Sequence, residues 1–357
     1  MSVARPTVQG ALADEAPGMG RLLLAPMEGL VDDVLRDVLT RAAAYDLAVT
    51  EFVRVSGSLL PARAFHRSCP ELARASRTRS GTPVAVQLLG SDEHCLAENA
   101  AQLVALQPAG IDLNFGCPAP RVNRHGGGAM LLADPERLHC IAATVRRVVP
   151  ESIPLTAKMR LGIKDTERTL DCARALAAGG IVSLVVHART RLEGYRPPAH
   201  WEWVAHIADA VQIPVVANGE VWSVHDYARC RSLSGVSDVM LGRGAVADPF
   251  LAERLRALAN VGDRLRTPGN DLRAAAMVDW SADWQRLQPL LAIYWQQTLG
   301  KASPARAPGR LKLWLRALQR NFPAAGELFR AIRSLQRVHQ VSQALVGHGI
   351  AGEQASG

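Results

Sequence analysis

The sequence predicts a parallel (β/α)8 barrel of the TIM-barrel class followed by a small all-α helical bundle, and three observations carry that expectation. Eight short apolar runs, each followed by a polar loop and a longer stretch of helical spacing, fill Leu22 to Leu255. That span of about 235 residues is close to the roughly 250 that eight strand–helix repeats usually need. Beyond it the pattern changes to helical spacing alone, with basic residues recurring on one face.

Taken in order, residues 1–20 are rich in Ala, Gly and Pro and read as a disordered N-terminal extension, with neither a basic start before an apolar core nor a membrane-length apolar run. The apolar runs then begin at Leu22, Leu47, Pro83, Ile111, Pro154, Ser183, Pro214 and Asp238. Helical stretches separate them, as at Leu30 to Ala44, where Leu30, Val31, Val34, Leu35 and Val38 make one apolar face. The barrel is expected over 21–259, a polar linker over 260–273, helices over 274–346 near 274–299, 309–321 and 324–346, and a disordered tail over 347–357. A doubly wound sheet competes, because Gly242-Arg243-Gly244-Ala245-Val246-Ala247 fits G-x-G-x-x-A. That fingerprint belongs in a first βα turn, whereas here it follows the eighth run, where a barrel places a phosphate site.

Composition narrows the function. The chain has 357 residues, 48% of them apolar, which is ample for packed cores. Its six cysteines lie far apart with no C-x-x-C spacing, so neither a zinc site nor an iron–sulfur cluster is signalled, and a reducing cytoplasm is the expected location. Nothing calls for a membrane, a metal or an obligate protein partner.

In a barrel the chemistry sits at the carboxyl ends of the strands. The first run ends in Pro26-Met27-Glu28-Gly29, the third carries Gln87, and the sixth ends in His187-Ala188-Arg189-Thr190. In the fourth, Ile111, Leu113 and Phe115 alternate with Asp112 and Asn114 until Gly116-Cys117-Pro118, where proline ends the strand and holds Cys117 extended. A free cysteine is most often a small buried hydrophobe. This one opens a polar, glycine-rich turn at a strand's carboxyl end, which points to chemistry instead. In the fifth run Thr156, Lys158 and Arg160 alternate with Ala157 and Met159, so two cations share one face. Burying an unpaired cation is costly, so a bound anion or an electron-rich ring is implied. The alternative for Lys158 is a structural salt bridge, and for His187 a hydrogen-bonded core histidine.

Asn218-Gly219-Glu220 after the seventh run and Gly242-Arg243-Gly244 after the eighth are small-residue turns on neighbouring strands. Such turns let backbone N–H groups converge on a phosphate, with Arg243 adding charge; simple tight turns are the alternative. Together these features suggest a phosphorylated cofactor across the barrel mouth, its ring toward Lys158 and Cys117, and flavin mononucleotide (FMN) fits that description best.

The blocks LLAPMEG, QLLG, DLNFGCPAPRVN with its GGGA, AKMRLG, VVHART followed by Gly194-Tyr195 and Trp201, VVANGEV and LGRGA resemble the ordered motifs of the tRNA-dihydrouridine synthases. The resemblance runs from about Leu22 to the last helical segment. EFVRV at Glu51 to Val55 and RLKLW at Arg310 to Trp314 are most similar to the bacterial branch that acts on uridine 16 of the D-loop. The resemblance implies FMN-dependent reduction of tRNA uridine to 5,6-dihydrouridine with NADPH as electron donor. Reduced flavin would deliver hydride to C6, and Cys117 would protonate C5. By the same resemblance Pro26, Met27, Glu28 and Gln87 cradle the isoalloxazine, and Lys158 and His187 contact the flavin ring. Asn218, Gly219, Glu220, Gly242 and Arg243 match the phosphate end, while Asn114 and Arg160 fall on the substrate side. Ala188 replaces the glycine usual in the family's H-G-R-T block, Phe115 occupies a variable position, and no separate nucleotide domain for NADPH is evident.

The C-terminal segment bears on the substrate. Leu311, Leu315 and Leu318 form an apolar face, while Lys312, Arg316 and Arg320, then Arg330, Arg333 and Arg337, form two basic stripes. From Lys301 to Leu345 nine Lys or Arg stand against one acid, Glu327, a net +8 that equals the formal charge of the whole chain. This asymmetry reads as a footprint for a phosphate backbone, with Arg54, Arg310, Lys312 and Arg316 as the main tRNA contacts. Two other functions stay open at this point: a barrel flavin oxidoreductase acting on a free enone or pyrimidine, and a catalytically silent RNA-binding relative.

Overall fold

The computed structural model describes residues 19–123, 126–262 and 278–350. Most of the expected extension, linker and tail therefore lies outside the described residues. Residues 260–262, expected to open the linker, instead end the helix Leu251–Gly262.

All eight apolar runs become strands: β1 (Leu22–Leu24), β2 (Leu47–Val49) continued by β3 (Val53–Arg54), β4 (Val84–Leu89), β5 (Ile111–Phe115), β6 (Leu155–Arg160), β7 (Ser183–His187), β8 (Val215–Asn218) and β9 (Val239–Leu241). Every neighbouring pair is parallel, and the β1–β9, β1–β2 and β2–β4 ladders close the sheet into a barrel. β2 and β3 form one stave, because both pair with β4. Val49 lies opposite Ala85 and Val53 opposite Leu88, so one strand carries an extra residue, a bulge beside Phe52, which lines the mouth.

Strand parity sorts the side chains. Leu24, Val86, Leu113, Ala157, Val186 and Ala217 point outward into the core shared with the surrounding helices. Inside the barrel, Leu23, Val49, Ala85, Val185, Val216 and Met240 form a separate small apolar cluster. Further along the same inward positions, the residues turn polar. Gln87 lies opposite Asp112, Asn114 opposite Lys158, and His187 opposite Asn218. The barrel interior is thus apolar below and polar at its carboxyl end.

The C-terminal segment folds as helices Trp280–Lys301, Ala307–Leu318, Pro323–Ile332 and Val338–Gly347. The last two were expected as one. Ile332 and Val341 are both fully buried, yet nine residues at about 100° each would put them on opposite sides of a straight helix, so the chain breaks between them. These helices pack directly on the barrel. Trp314 is fully buried, stacks edge-on against Tyr294 at 4.7 Å and donates its indole N–H to Val246 O at 3.2 Å. Asn321 Nδ2 reaches Ala247 O, Gln297 Nε2 reaches Asp37, and Arg254 bridges Asp248 and Asp283. One continuous apolar core spans both parts.

Candidate active site

At the carboxyl ends of the strands a cleft of about 870 Å3 opens, a size in the usual range for small-molecule sites. Every residue expected at the cofactor lines it, together with Cys117, Arg54, Asn114 and Arg160. Arg310, Lys312 and Arg316 lie outside it, on the helices.

Cys117 sits at the lip. Its own N–H and that of Gly116 both donate to Asn114 Oδ1, at 2.9 and 3.0 Å, and its carbonyl accepts from Ala129 N and Asn123 Nδ2 at 3.1 Å. The glycine-rich turn explains how that loop can close. Gly128 has φ +61°, and a Cβ there would lie 2.8 Å from Cys117 O. Burial, reinforced by the Glu28 charge, pushes the Cys117 thiol up, against the pull of the Ala119 N–H and the Arg160 and Arg54 charges. The thiol therefore keeps its proton at neutral pH.

The floor carries the two cations of β6, with different fates. Arg160 is almost fully buried and satisfied by the protein itself: Nε donates to Gly116 O at 2.9 Å, and Nη1 to Thr190 O at 3.0 Å and Gly194 O at 2.8 Å. It is a brace between the Cys117 turn and the loop after β7, which differs from the free cation expected. Lys158 has one partner, Asn218 Oδ1 at 2.9 Å, whose own amide is held by Met240 O. Burial, then the Arg160 charge, pull its ammonium down to about 7. His187 is neutral, held well below its ordinary value by burial and by the charges of Arg160, Lys158, Arg189 and Arg243. Arg189 lies 3.3 Å from its Nε2, and since a guanidinium only donates, the imidazole proton sits on Nδ1.

Asp112, Arg189 and Trp222 shape this geometry and were given no role from the sequence. Asp112, inward-facing and buried, accepts from Gln87 Nε2 and Thr156 Oγ1. Its parity with Asn114 was the available signal. Arg189 is fully buried and gives Nε to Pro198 O and a second N–H to Glu220. Burial pushes the Glu220 carboxyl up, but hydrogen bonds from Arg189 and Trp222 hold it below its usual range. Arg243 lies over Tyr195 at 4.9 Å and Trp222 at 5.0 Å, and Arg320 of the helical segment covers Trp222 at 4.1 Å. That ladder is assembled from separate loops and the segment's own chain, and no local pattern announces it. Gly219, at φ +116°, lets the β8 turn approach His187, where a Cβ would come within 3.0 Å of the ring.

A closed barrel with a protonated thiol at its lip and a cation at its floor is a (β/α)8 enzyme built to act on a ligand laid across the strand ends. The dihydrouridine synthase (Dus) family matches residues 23–278, and the chain belongs to that family. It is an oxidoreductase. The chain is 58% identical over 318 residues to a protein of Ralstonia nicotianae, covering 89% of this chain and 93% of that one. It is 54% identical to one of Cupriavidus necator, with 92% and 97% covered, and 41% identical to one of Shewanella oneidensis, with 91% and 97% covered. Each of these relatives is named tRNA-dihydrouridine(16) synthase. Among solved structures, a 2-naphthoyl-CoA reductase complex superposes with a TM-score of 0.51 at 12% identity over 66% of this chain and 50% of that one, a likeness of fold. Ala188 does not take a left-handed backbone, so the position makes no conformational demand for glycine. Among the described residues no group of three or more His, Cys, Asp or Glu could hold a metal, and no helix is long and apolar enough to cross a membrane.

Proposed function

We propose that the protein reduces uridine to 5,6-dihydrouridine in the D-loop of tRNA, at position 16, in the cytoplasm, with FMN as resident cofactor and NADPH as reductant. The observation that carries this reading is Cys117, protonated and half-buried, held by Asn114 at the lip of a cleft whose floor holds Lys158. The names of the relatives supply position 16.

The residues fit a phosphorylated flavin. The Lys158 ammonium has one neutral oxygen partner, so an electron-rich ring beside it supplies what the protein leaves out. Arg243 shares Glu220 with Arg189, which leaves positive charge at the Asn218-Gly219-Glu220 and Gly242-Arg243 turns for a phosphate. Pro26, Met27, Glu28 and Gln87 line the same cleft and would contact the ring system. When bound, the reduced flavin supplies a hydride to C6 of the uracil ring. Cys117 then gives its proton to C5, and the thiolate recovers a proton from solvent. Lys158 and His187 line the cleft where the ring would lie, and the Lys158 ammonium would stabilise negative charge on it. Arg54, at the lip with its guanidinium on Arg121 O, and the exposed Arg316 grip the RNA backbone. Arg310 and Lys312 stand behind that surface, on Asp32 and Leu335 O.

The test maps dihydrouridine on tRNA treated with purified protein and NADPH. Cys117→Ala should keep the yellow cofactor and lose at least about 100-fold in uridine reduction, the usual worth of a positioned general acid. Near-normal turnover removes Cys117 from the reaction. Rapid reduction of free uridine would favour a small-molecule enzyme instead.

A further inference from the structure

We infer that Asp112 is a positioning residue of this site: it sets which way the side-chain amides of Gln87 and Asn114 point, and through them it holds the turn that carries Cys117. The inference rests on Cys117 being the proton donor.

Two ends of one hydrogen-bond chain dictate the same order. At one end, the main-chain N–H groups of Gly116 and Cys117 can only donate, so the Asn114 atom facing them at 3.0 and 2.9 Å is Oδ1. Its Nδ2 then points to Gln87, 2.7 Å away, which must present Oε1. Gln87 Nε2 is left facing Asp112 Oδ2 at 2.7 Å, and an ionised carboxylate only accepts. Thr156 Oγ1 donates to the other carboxylate oxygen at 2.6 Å. Asp112 is 2% exposed and Gln87 fully buried, so both are shielded from bulk solvent. Burial raises the Asp112 carboxyl, while Thr156, Gln87 and the Lys158 charge oppose that rise.

Without Asp112 the order is no longer enforced from within the barrel. Gln87 would be free to reverse, presenting N–H to the Asn114 N–H, and Asn114 could answer only by turning its amide nitrogen toward the Gly116 and Cys117 N–H groups. The turn would shift. A displacement of about 1 Å at a reacting group costs on the order of 100-fold in rate. Asp112 does not reach the cleft's substrate face, so its effect falls on turnover and not on RNA affinity.

The experiment compares two variants of the full-length, cofactor-loaded protein. In Asp112→Asn the carbonyl still accepts from Gln87 and the amide donates to the Thr156 hydroxyl, which can also accept, so kcat should stay within about threefold. In Asp112→Leu the acceptor is gone. Its kcat should fall at least about 30-fold with KM for tRNA within about threefold, and Cys117 alkylation followed by peptide mass spectrometry should accelerate, as expected for a loosened turn. Equal losses in both variants would mean that the charge matters and not the acceptor, and would overturn the inference, as would a folded Leu variant with normal kcat. If the Leu variant does not fold, neutron diffraction of the wild-type protein reads the two amides directly, and either one reversed overturns it. Neither the alkylation nor the diffraction needs RNA turnover, so a failure of Cys117 as proton donor is distinguishable from a failure of the amide order.

Discussion

Arg160 and Arg189 are buried in the barrel mouth and spend their N–H groups on main-chain carbonyls and Glu220, whereas Arg316, Arg330, Arg333 and Arg337 stand exposed on the helical segment, with no ion pair among the described residues. The difference lies in what the charge is for. A buried guanidinium that binds three carbonyls is part of the scaffold, because removing it strands acceptors at about 1–3 kcal/mol each. An exposed guanidinium contributes little to folding and is available to a phosphate, with a strength that depends on salt. The mouth shapes a site, and the helices supply grip.

Both regions share one apolar core, and Trp314 is the joint. Its ring is fully buried between Tyr294 and the helix Arg243–Ala247, which carries Arg243 of the site. Trp314→Ala should cost about 3–5 kcal/mol, as large aromatic truncations do, and should weaken cofactor retention along with RNA binding. Denaturant unfolding and flavin release check both. A variant that loses RNA binding while the barrel keeps full stability would show that the two regions fold apart. The shared core also predicts that residues 21–260 alone would expose apolar surface and melt early.

The barrel was legible because each strand is buried on both faces and bounded by turn residues, so eight runs stand out against their loops. The mouth was legible residue by residue, where a cysteine before proline or a cation on an apolar strand breaks a pattern. What those residues bind was not. Arg160 finds carbonyls 30 and 34 positions away, and the cation–aromatic ladder needs Trp222 and Arg320 brought together by the packing of the helical segment. Asp112 was visible by parity but looks like any polar residue on a strand until its partners are in place. The split of the last helix was missed because an apolar residue every third position reads as continuous periodicity even while the stripe rotates.

Lys158 is the intermediate case, a cation inside the mouth with a single partner, and it should show an intermediate effect. Its folded-state value of about 7 lies below the ordinary 10.5, lowered by burial and then by Arg160. Between those values the unfolded chain binds more protons than the folded one, so the contribution of this group to stability rises with pH across that window. Below it the full cost of burying the charge is present. Cofactor-free Lys158→Met should therefore be more stable than wild type near pH 6, and the gap should close toward pH 10. Calorimetry at several pH values decides this; a gap that does not change with pH would mean that Lys158 is already paired.

The smallest effect is expected among the three basic residues of the helix Ala307–Leu318, where both uses of charge occur within seven positions. Arg310 lies 2.7 Å from Asp32, the residue that caps the barrel helix Asp33–Ala42, and Lys312 donates to Leu335 O. Arg316 is exposed, and no ion pair among the described residues engages it. If engagement decides the role, Arg316→Gln should leave the melting temperature unchanged and flatten the salt dependence of tRNA binding by about one phosphate contact, a log–log slope of roughly 0.7 to 0.9. Arg310→Gln should do the reverse: it removes the nearer of the two cations on Asp32, leaving Lys301 at 4.0 Å, and lowers the melting temperature, while the salt slope hardly moves. Filter binding between 50 and 200 mM salt, paired with thermal melts, separates the two. Equal slopes lost from both variants would mean that RNA pulls Arg310 away from Asp32, and the line between bracing and gripping would then run through the bound state instead of the free one.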